Sequence, residues 1–295
     1  MGYAHAGRLR PVPGGYNEPM RFTKMHGLGN DYVYVNTAEE SVNDPARLAR
    51  MVSDRHTGIG SDGLILIGGS QVADVRMEMY NADGSRGRMC GNGIRCVAKY
   101  AVDRGLTNGP LVTVETDSGI KSCECRFRQG RVDSVRVDMG VPSFRALDLP
   151  AYLPTEQVID HRLAVGGVTY TVTCVSMGNP HAVVYTEQLQ RIDLVCVGPL
   201  FEHAPEFPEG INVHFVRINS RDHVTMRTWE RGSGATRACG TGACAVCVAG
   251  ATTGRTNRAI TAELPGGALE LDWAPDQHVY MTGPAVEVYC GDWKL

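Results

Sequence analysis

The chain contains two copies of one motif, each ending in a cysteine followed by Gly-x-Gly, at an offset of 149 residues. In the first copy the alternating segment 75–81 and a glycine-rich loop lead to Cys90; in the second, 224–230 and a similar loop lead to Cys239. The same offset, without a gap, relates residues 29–30 to 178–179 and the apolar run 64–67 to 213–216. This repeat predicts two related halves, each of which supplies one thiol.

Two thiols that face each other across a cleft can act as an acid–base pair. One thiolate removes a proton from one face of a carbon, and the opposite thiol returns a proton to the other face, so that the configuration inverts. This chemistry formally requires no cofactor, and we expect none. Much of the barrier must then be lowered by positioning and by donors aimed at the developing negative charge.

Both cysteines are predicted to begin a helix. Residues 92–104 carry an apolar stripe and stop at Gly105, and residues 241–252 are apolar on almost every side and stop near Gly254. Free amides and the positive end of the helix dipole favour a thiolate, so the pattern predicts a lowered pKa for Cys90 and Cys239. The glycines that follow each cysteine let backbone amides approach a bound carboxylate.

The composition is typical of a soluble globular protein large enough for two domains, with 295 residues, 43% hydrophobic and 21% charged residues, and a net charge of −3. No Lys/Arg run indicates nucleic-acid binding, and no apolar run reaches the roughly 18 residues of a membrane span. Ten cysteines without an export signal indicate reduced thiols in a cytoplasmic protein. Residues 1–19 are predicted to form a poorly ordered N-terminal extension.

Alternating segments rich in Val, Thr, Tyr and Ile predict strands at 31–36, 73–80, 111–116, 131–138, 168–175, 182–186, 211–218, 223–229 and 285–290. Asp44 and Pro45 predict a third helix over 44–53. The predicted fold is α/β with α+β character: two pseudo-symmetric domains, each a curved, mostly antiparallel sheet around a central helix, with the active site in the cleft between them. The predicted domains are 20–138 and 139–282, with a strand in 283–295 returning to the first.

The other cysteines have simpler interpretations. Small buried hydrophobic roles are expected for Cys96, Cys174, Cys196, Cys244 and Cys247. Cys123 and Cys125 alternate within a predicted strand and are expected to be structural.

A rival pattern is the spacing Cys239-x4-Cys244-x2-Cys247, which is that of plant-type ferredoxins, with Cys290 as a conceivable fourth ligand. Cluster ligands need an irregular loop, whereas 243–249 predicts a buried helix. We therefore expect no metal site.

Six short blocks together resemble the diaminopimelate epimerase family: MHGLGND at 25–31, NADGS at 81–85, MCGNG at 89–93, MGNPH at 177–181, WERG at 229–232 and ACGTG at 238–242. The resemblance runs from about Met20 to the C-terminus. It implies a pyridoxal-phosphate-independent enzyme that interconverts LL- and meso-diaminopimelate, on the route to lysine and peptidoglycan. It also implies two pseudo-symmetric domains and a homodimer with Tyr289 at its interface.

The resemblance also implies roles at individual positions. Cys90 and Cys239 match the catalytic pair, and His181 and Glu230 match residues that tune the thiols. Arg231 is suited to a bidentate grip on the distal carboxylate of the substrate. The substrate-binding positions implied by the match are Asn30, Asn81, Gly91, Asn92, Asn179, Asn212, Glu230, Arg231, Gly240 and Thr241.

Two positions depart from the family pattern, Ala235 and Arg237. Arg237 lies two residues before Cys239, where it either adds positive potential near that thiol or points to solvent. Three other functions stay open from the sequence: a two-thiol racemase for proline or hydroxyproline, an iron–sulfur electron carrier, and a binding protein without turnover. The paired Glu230-Arg231 and the four asparagines favour a substrate with two zwitterionic ends.

Overall fold

The computed structural model describes residues 19–294, so the predicted N-terminal extension lies outside the described residues except for Pro19. The helices are α1 (Pro45–Ser53), α2 (Gly91–Asp103), α3 (Leu194–Glu202) and α4 (Gly240–Thr252). The strands of the first half are β1 (Met20–Gly27), β2 (Asn30–Asn36), β3 (Gly63–Gly68), β4 (Val75–Asn81), β5 (Arg86–Gly87), β6 (Leu111–Thr116), β7 (Gly119–Arg128) and β8 (Arg131–Asp138). The remaining strands are β9 (His161–Val165), β10 (Val168–Ser176), β11 (Pro180–Tyr185), β12 (Asn212–Ser220), β13 (His223–Glu230), β14 (Gly234–Thr236), β15 (Ala259–Leu264), β16 (Gly267–Trp273), β17 (Val279–Pro284) and β18 (Val286–Trp293).

The strand pairing of the first half is repeated in the second. β2 pairs parallel with β3 as β11 does with β12, and β4 pairs parallel with β6 as β13 does with β15. The other pairings within each half are antiparallel. The register also keeps the offset, since Tyr32 lies opposite Gly63 and His181 opposite Asn212. The repeat in the sequence is therefore a repeat in three dimensions, which confirms the predicted fold class.

Two strand pairs connect early and late segments of the chain. β8 pairs antiparallel with β17, and β18 pairs antiparallel with β1. β18 takes the place beside β1 that β9 takes beside β10.

The helices α2 and α4 occupy the centres of the two halves. The apolar stripe of α2 is buried from Ile94 to Ala101 and partly buried at Val102. Ala243 to Ala249 of α4 are buried on every side, as expected for a helix that is apolar all round. Gly105 and Gly254 follow the two helices with φ of 71° and 69°, a left-handed conformation that glycine adopts without strain. The halves share one continuous core through these helices. None of the helices in residues 19–294 combines the length and apolar character of a bilayer span.

The sequence did not predict α3 or several strands. α3 is short and contains Gly198 and Pro199, which weaken a helical pattern. β3 is buried on both faces and therefore shows no alternation. The prediction for Cys196 was wrong, because this residue lies on the outer face of α3 and is exposed.

Candidate active site

The two repeated cysteines occupy the N-caps of the two central helices, and those helix starts touch. Cys90 caps α2 and Cys239 caps α4, both with extended backbone. A Cβ built on Gly240 would lie 3.5 Å from the Gly91 Cα, and one built on Gly91 would lie 3.6 Å from the Gly240 Cα. The two N-termini therefore approach closely, which places the two thiols at one junction between the halves.

Cys90 is half-buried and holds two polar contacts. Its Sγ accepts a hydrogen bond from the Gly93 amide at 3.4 Å, the bond expected of a helix N-cap. Its thiol also donates to the Asn30 Oδ1 at 3.2 Å. Asn30 thus contacts a thiol directly, as well as lying at a position where the family pattern implies substrate binding.

Asn30 is fixed by a charged cluster behind it. Its Nδ2 donates to Asp62 at 2.8 Å, and the same carboxylate accepts from the Asp31 amide at 3.0 Å. Arg55 bridges Asp31 and Asp62, and the buried Lys24 ammonium pairs with Asp31. These contacts lower the pKa of Asp31 against the opposing effect of its burial, which would raise it. The amide of Asn30 is therefore held in one orientation toward Cys90.

Cys239 is almost fully buried, with 3% of its surface exposed. Its sulfur has no capping hydrogen bond of the geometry found at Cys90, although the Gly242 amide is near enough to lower the pKa of the thiol. The Thr241 hydroxyl lies beside it, with 3.7 Å between Sγ and Oγ1. Glu230 lies close by, and its carboxylate accepts a hydrogen bond from Thr236.

Both thiols have a pKa above that of a free cysteine, contrary to the prediction from helix position. Burial is the largest cause for each, and it outweighs the amides of Gly93 and Asn92 at Cys90. At Cys239 the neighbouring Glu230 carboxylate raises the pKa further, well above the ordinary value. Burial also raises the pKa of Glu230 itself. Desolvation disfavours the charged form of each group, and the helix dipole does not overcome it here.

Buried imidazoles line the Cys239 side. His181 Nε2 lies 2.9 Å from Asn179 Oδ1, and His181 Nδ1 lies 2.9 Å from His214 Nε2. The second ring continues to Thr228 Oγ1, 2.9 Å from His214 Nδ1. Neither histidine is exposed. Burial lowers the pKa of His181 well below its usual value and that of His214 to about 3, so both rings are neutral at physiological pH.

A buried cation accompanies the helix starts. Arg95 is fully buried and forms no ion pair with an Asp or Glu in the described part of the chain; its guanidinium donates to the carbonyls of Gly91 and Pro284 and to Asn92 Oδ1. Asn92 in turn donates to the Ala238 carbonyl at 3.1 Å, which ties α2 to the residue before Cys239. The Asn92 side chain is therefore occupied within the protein, and its backbone amide is the group left for a ligand.

The remaining predicted positions lie at the ends of strands around the junction. Asn212 is buried; it accepts from the Arg231 amide at 2.9 Å and donates to the Pro180 carbonyl at 2.7 Å. The exposed Arg231 side chain donates to the Glu209 carbonyl. Asn81 is partly exposed and donates to Ser85. Asn212 thus holds the backbone at Arg231, while the guanidinium reaches the surface.

Arg237 is exposed, and its side chain lies against Gly29, where an added Cβ would be 3.2 Å from Arg237 Nε. Of the two roles considered for Arg237, the structure supports a position at the solvent boundary, beside the loop that carries Asn30.

Sequence reasoning missed Asp62, Arg95, His214 and α3. Arg95 occupies a core position of α2, and His214 interrupts the apolar run 213–216; a charged or polar residue in such a place is a signal of a specific role. Helix α3 contributes Glu202, which accepts hydrogen bonds from Trp229 Nε1 and from the Gly232 amide and so anchors the loop that carries Arg231. Nothing in the local sequence indicated this contact.

The cysteines of the ferredoxin-like spacing do not form a cluster-binding loop. Cys244 and Cys247 lie within the continuous helix α4 and are buried, and the Cys247 thiol donates to the Arg258 carbonyl. Cys290 lies on β18 at the surface. Within residues 19–294 no group of three or more His, Cys, Asp or Glu side chains is arranged to hold a metal ion.

Comparison with known proteins gives one consistent result. A family model described as diaminopimelate epimerase matches residues 22–145 and 173–288. The chain is 51% identical to a diaminopimelate epimerase of Acetivibrio thermocellus over 94% of this chain and 99% of that protein, and 50% identical to one of Agathobacter rectalis over 92% and 99%.

Among solved structures, a PhzF-family phenazine biosynthesis protein of Bacillus anthracis has the same fold, with a TM-score of 0.69 and 15% identity over 94% of this chain and all of that one. A probable proline racemase of Agrobacterium radiobacter has a TM-score of 0.66 and 17% identity over 92% of each chain.

Proposed function

This chain belongs to the diaminopimelate epimerase family, and on that basis we propose that it interconverts LL- and meso-diaminopimelate by moving protons between two thiols. One observation carries the proposal: the two cysteines of the internal repeat cap two helices whose first residues, Gly91 and Gly240, are in contact. Acid–base inversion at one carbon needs such a pair, with one group on each face.

The proton transfers follow from the two thiols. The thiolate of one cysteine takes the α-proton, so that an S–H bond forms and the Cα–H bond of the substrate breaks. The electron pair of that bond stays on the substrate, where its negative charge is shared by the α-carbon and the carboxylate. The opposite thiol then gives its proton to the other face and becomes the thiolate. The first transfer leaves both sulfurs protonated, and the second removes the proton of the opposite sulfur. A full turnover therefore exchanges the roles of thiol and thiolate, and the enzyme is then poised for the reverse direction.

The helix starts supply the electrostatic stabilisation. The first-turn amides of α2 and α4 can donate to the reacting carboxylate, whose charge grows as the α-proton leaves. Cys239 is buried and Cys90 is half-buried, and an ion in such a place is stabilised by fixed dipoles and charges where solvent is excluded. Arg95 adds a buried positive charge that lowers the pKa of Cys90.

We assign substrate contacts on both sides of the junction. Asn30 and Asn179 occupy equivalent places in the two halves, and each has its amide oriented by a partner inside the protein. Arg231 reaches the surface beside them and is suited to the distal carboxylate, because a guanidinium can hold a carboxylate through two parallel bonds. A substrate with a second amino-acid centre uses this arginine, and proline has no group to reach it.

We also propose that the chain forms a homodimer through β18 and acts in the cytoplasm. Val286, Val288 and Tyr289 are exposed on this strand, which pairs with β1 on one side. Tyr289 packs edge-on against Phe22, with ring centroids 5.9 Å apart. Light scattering should give twice the mass of one chain, and Tyr289→Asp should give a monomer. All ten cysteines are free, as expected of a reducing compartment.

The proposed activity is tested with the reduced protein and LL-diaminopimelate, by following the ratio of stereoisomers. We expect conversion to the meso form by the parent and by Cys196→Ser, which changes an exposed thiol on α3, and loss of conversion in Cys90→Ser and in Cys239→Ser. Proline serves as the alternative substrate and should not be racemised. Binding of diaminopimelate without conversion by the parent would contradict the proposal and favour a binding protein.

A further inference from the structure

Five side chains form a continuous hydrogen-bonded chain that ends at Cys239. It runs from Thr228 through His214, His181 and Asn179 to Thr241, with three ring contacts of 2.9 Å. Asn179 Nδ2 then donates to Thr241 Oγ1 at 3.4 Å, and Thr241 Oγ1 lies 3.7 Å from Cys239 Sγ. The interior members of this chain are buried, with 0% exposure for both histidines and 2% for Thr228.

The partners fix the direction in which the hydrogens point. Asn179 turns its Oδ1 toward His181, and an amide oxygen can only accept, so His181 carries its hydrogen on Nε2. A neutral imidazole has one N–H, which leaves His181 Nδ1 as an acceptor and requires His214 Nε2 to donate. His214 Nδ1 then accepts from the Thr228 hydroxyl.

The same polarity continues to the sulfur. Because Thr241 Oγ1 accepts from Asn179, its own hydrogen is available to Cys239 Sγ. Every member thus donates toward the thiol. Cys239 lacks a capping hydrogen bond as close as that from Gly93 to Cys90, and the Thr241 hydroxyl adds a donor beside the Gly242 amide.

Comparison of the two halves shows that only Cys239 has such a hydrogen-bonded chain of side chains. At the offset of 149 residues, Ile65 corresponds to His214, Tyr32 to His181, Met79 to Thr228 and Asn92 to Thr241. The apolar Ile65 and Met79 cannot continue a hydrogen-bonded chain. The second half alone therefore carries this arrangement.

His214 is also built into the start of α4. A Cβ added at Gly242 would lie 2.2 Å from His214 Cε1, so the imidazole packs directly against the first turn of the helix that Cys239 caps. The ring is held between β13, through Thr228, and α4. Its place is set by packing as well as by hydrogen bonds.

We propose that His214 is a positioning residue for Cys239: it fixes the tautomer of His181 and, through Asn179, directs the Thr241 hydroxyl at the sulfur so that the Cys239 thiolate is stabilised. The inference rests on the proposed function only in giving Cys239 a catalytic role. The contacts themselves, and the reactivity of the thiol, can be measured without turnover.

The first test measures thiol reactivity. Alkylation by iodoacetamide is followed by peptide mass spectrometry for Cys239, for Cys90 and for the exposed Cys196 as reference, in the parent, His214→Phe and His214→Gln. Phenylalanine keeps a planar ring but cannot donate to His181, whereas glutamine keeps an N–H near the position of Nε2. In His214→Phe we expect Cys239 to react about three- to tenfold more slowly relative to Cys90, as for loss of part of a charge-assisted hydrogen bond. In His214→Gln the same ratio of rates should stay within about twofold of the parent.

An unchanged ratio of Cys239 to Cys90 in His214→Phe would overturn the proposal, and so would an equal loss in both variants, which would indicate packing alone. The second test measures the parent itself, and a variant serves only to assign its signals. Long-range ¹H–¹⁵N spectra of the parent should show His181 and His214 as neutral Nε2–H tautomers, and an Nδ1–H tautomer at either ring would overturn the assignment. His214→Gln identifies the signals by removing one set. Absence of epimerase activity in the parent would contradict the proposed function and leave both tests interpretable.

Discussion

Gly91 and Gly240 are in contact at the point where the two halves meet, with 3.5 Å between the Gly91 Cα and a Cβ built on Gly240. Each glycine directly follows a cysteine and begins a central helix. The contact brings together the amide ends of both helices, where a carboxylate is best stabilised. One packing relationship between two small residues thus places two thiols and two helix N-termini at one junction.

The glycines of the two helix starts should differ in their tolerance of alanine. A Cβ at Gly242 would lie 2.2 Å from the ring of His214, which is buried and cannot retreat, whereas a Cβ at Gly91 meets the flexible end of Met281 at 3.1 Å. We expect Gly242→Ala to lower the free energy of unfolding by about 1–3 kcal/mol. Gly91→Ala should change it by less, because the better helix propensity of alanine offsets about 0.5–1 kcal/mol. Urea unfolding measures both, and equal losses would contradict the packing at His214.

Arg95 should influence Cys90 through its charge. The buried guanidinium lowers the pKa of Cys90, although burial of the thiol has the larger, opposite effect. We expect Arg95→Met to move the pH profile of Cys90 alkylation to higher pH. Arg104→Met, at the exposed end of the same helix, is the matched control and should leave the profile in place. A profile that does not move in Arg95→Met would show that the charge is not felt at the sulfur.

The buried cysteines should make the fold sensitive to alkaline pH. Burial raises the pKa of Cys96 and Cys125 to about 11 and that of Cys247 to about 12, and it raises that of Cys174 further. Above about pH 9 the unfolded chain loses thiol protons that the folded chain keeps, so the unfolded state binds fewer protons and the free energy of unfolding falls as pH rises. Below that pH these thiols are protonated in both states and contribute no slope.

The size of this effect is measurable by urea unfolding between pH 7 and 9.5. Each buried thiol contributes up to about 1.4 kcal/mol per pH unit above its unfolded pKa. Cys174→Ala should reduce the pH dependence of the free energy of unfolding by the contribution of one buried thiol. Cys196→Ser, which changes an exposed thiol, should leave that pH dependence unchanged. A stability that is flat to pH 9.5 would contradict the predicted burial.

Oxidation should link the two active-site thiols. Cys90 and Cys239 precede residues that are in contact, so a disulfide between them needs little backbone movement. We expect diamide to abolish epimerase activity and dithiothreitol to restore it, with a Cys90–Cys239 cross-link found by peptide mass spectrometry. Cys196→Ser should behave as the parent. Inactivation that reductant does not reverse, or that leaves no such cross-link, would contradict this prediction.

Much of the fold could be predicted because the repeat and the local signals agree. The Asp44 cap, the stops at Gly105 and Gly254 and the all-apolar α4 are local patterns with one physical explanation each, and the structure contains all of them. β3 was not among the predicted strands because a strand buried on both faces has no alternation to detect. Cys196 was misplaced because the short helix that carries it was not predicted.

The site was predictable in its residues and less so in its energetics. The motifs name Cys90 and Cys239, but they do not say that burial outweighs the helix amides and raises both pKa values. Nor does local sequence show that the side-chain amides of Asn92 and Asn212 form hydrogen bonds within the protein. Those outcomes depend on three-dimensional neighbours that come from distant segments, such as Ala238 for Asn92.

The central claim is that two thiols work on opposite faces of one carbon, and deuterium incorporation tests it most directly. The reduced enzyme acts on LL-diaminopimelate in deuterated water, and substrate and product are separated at low conversion. We predict about one deuterium at the inverted α-carbon of the meso product and almost none in the remaining LL substrate, because the proton that leaves and the deuteron that arrives use different sulfurs. Deuterium appearing equally in unreacted substrate and product would indicate a single exchanging base and would contradict the account.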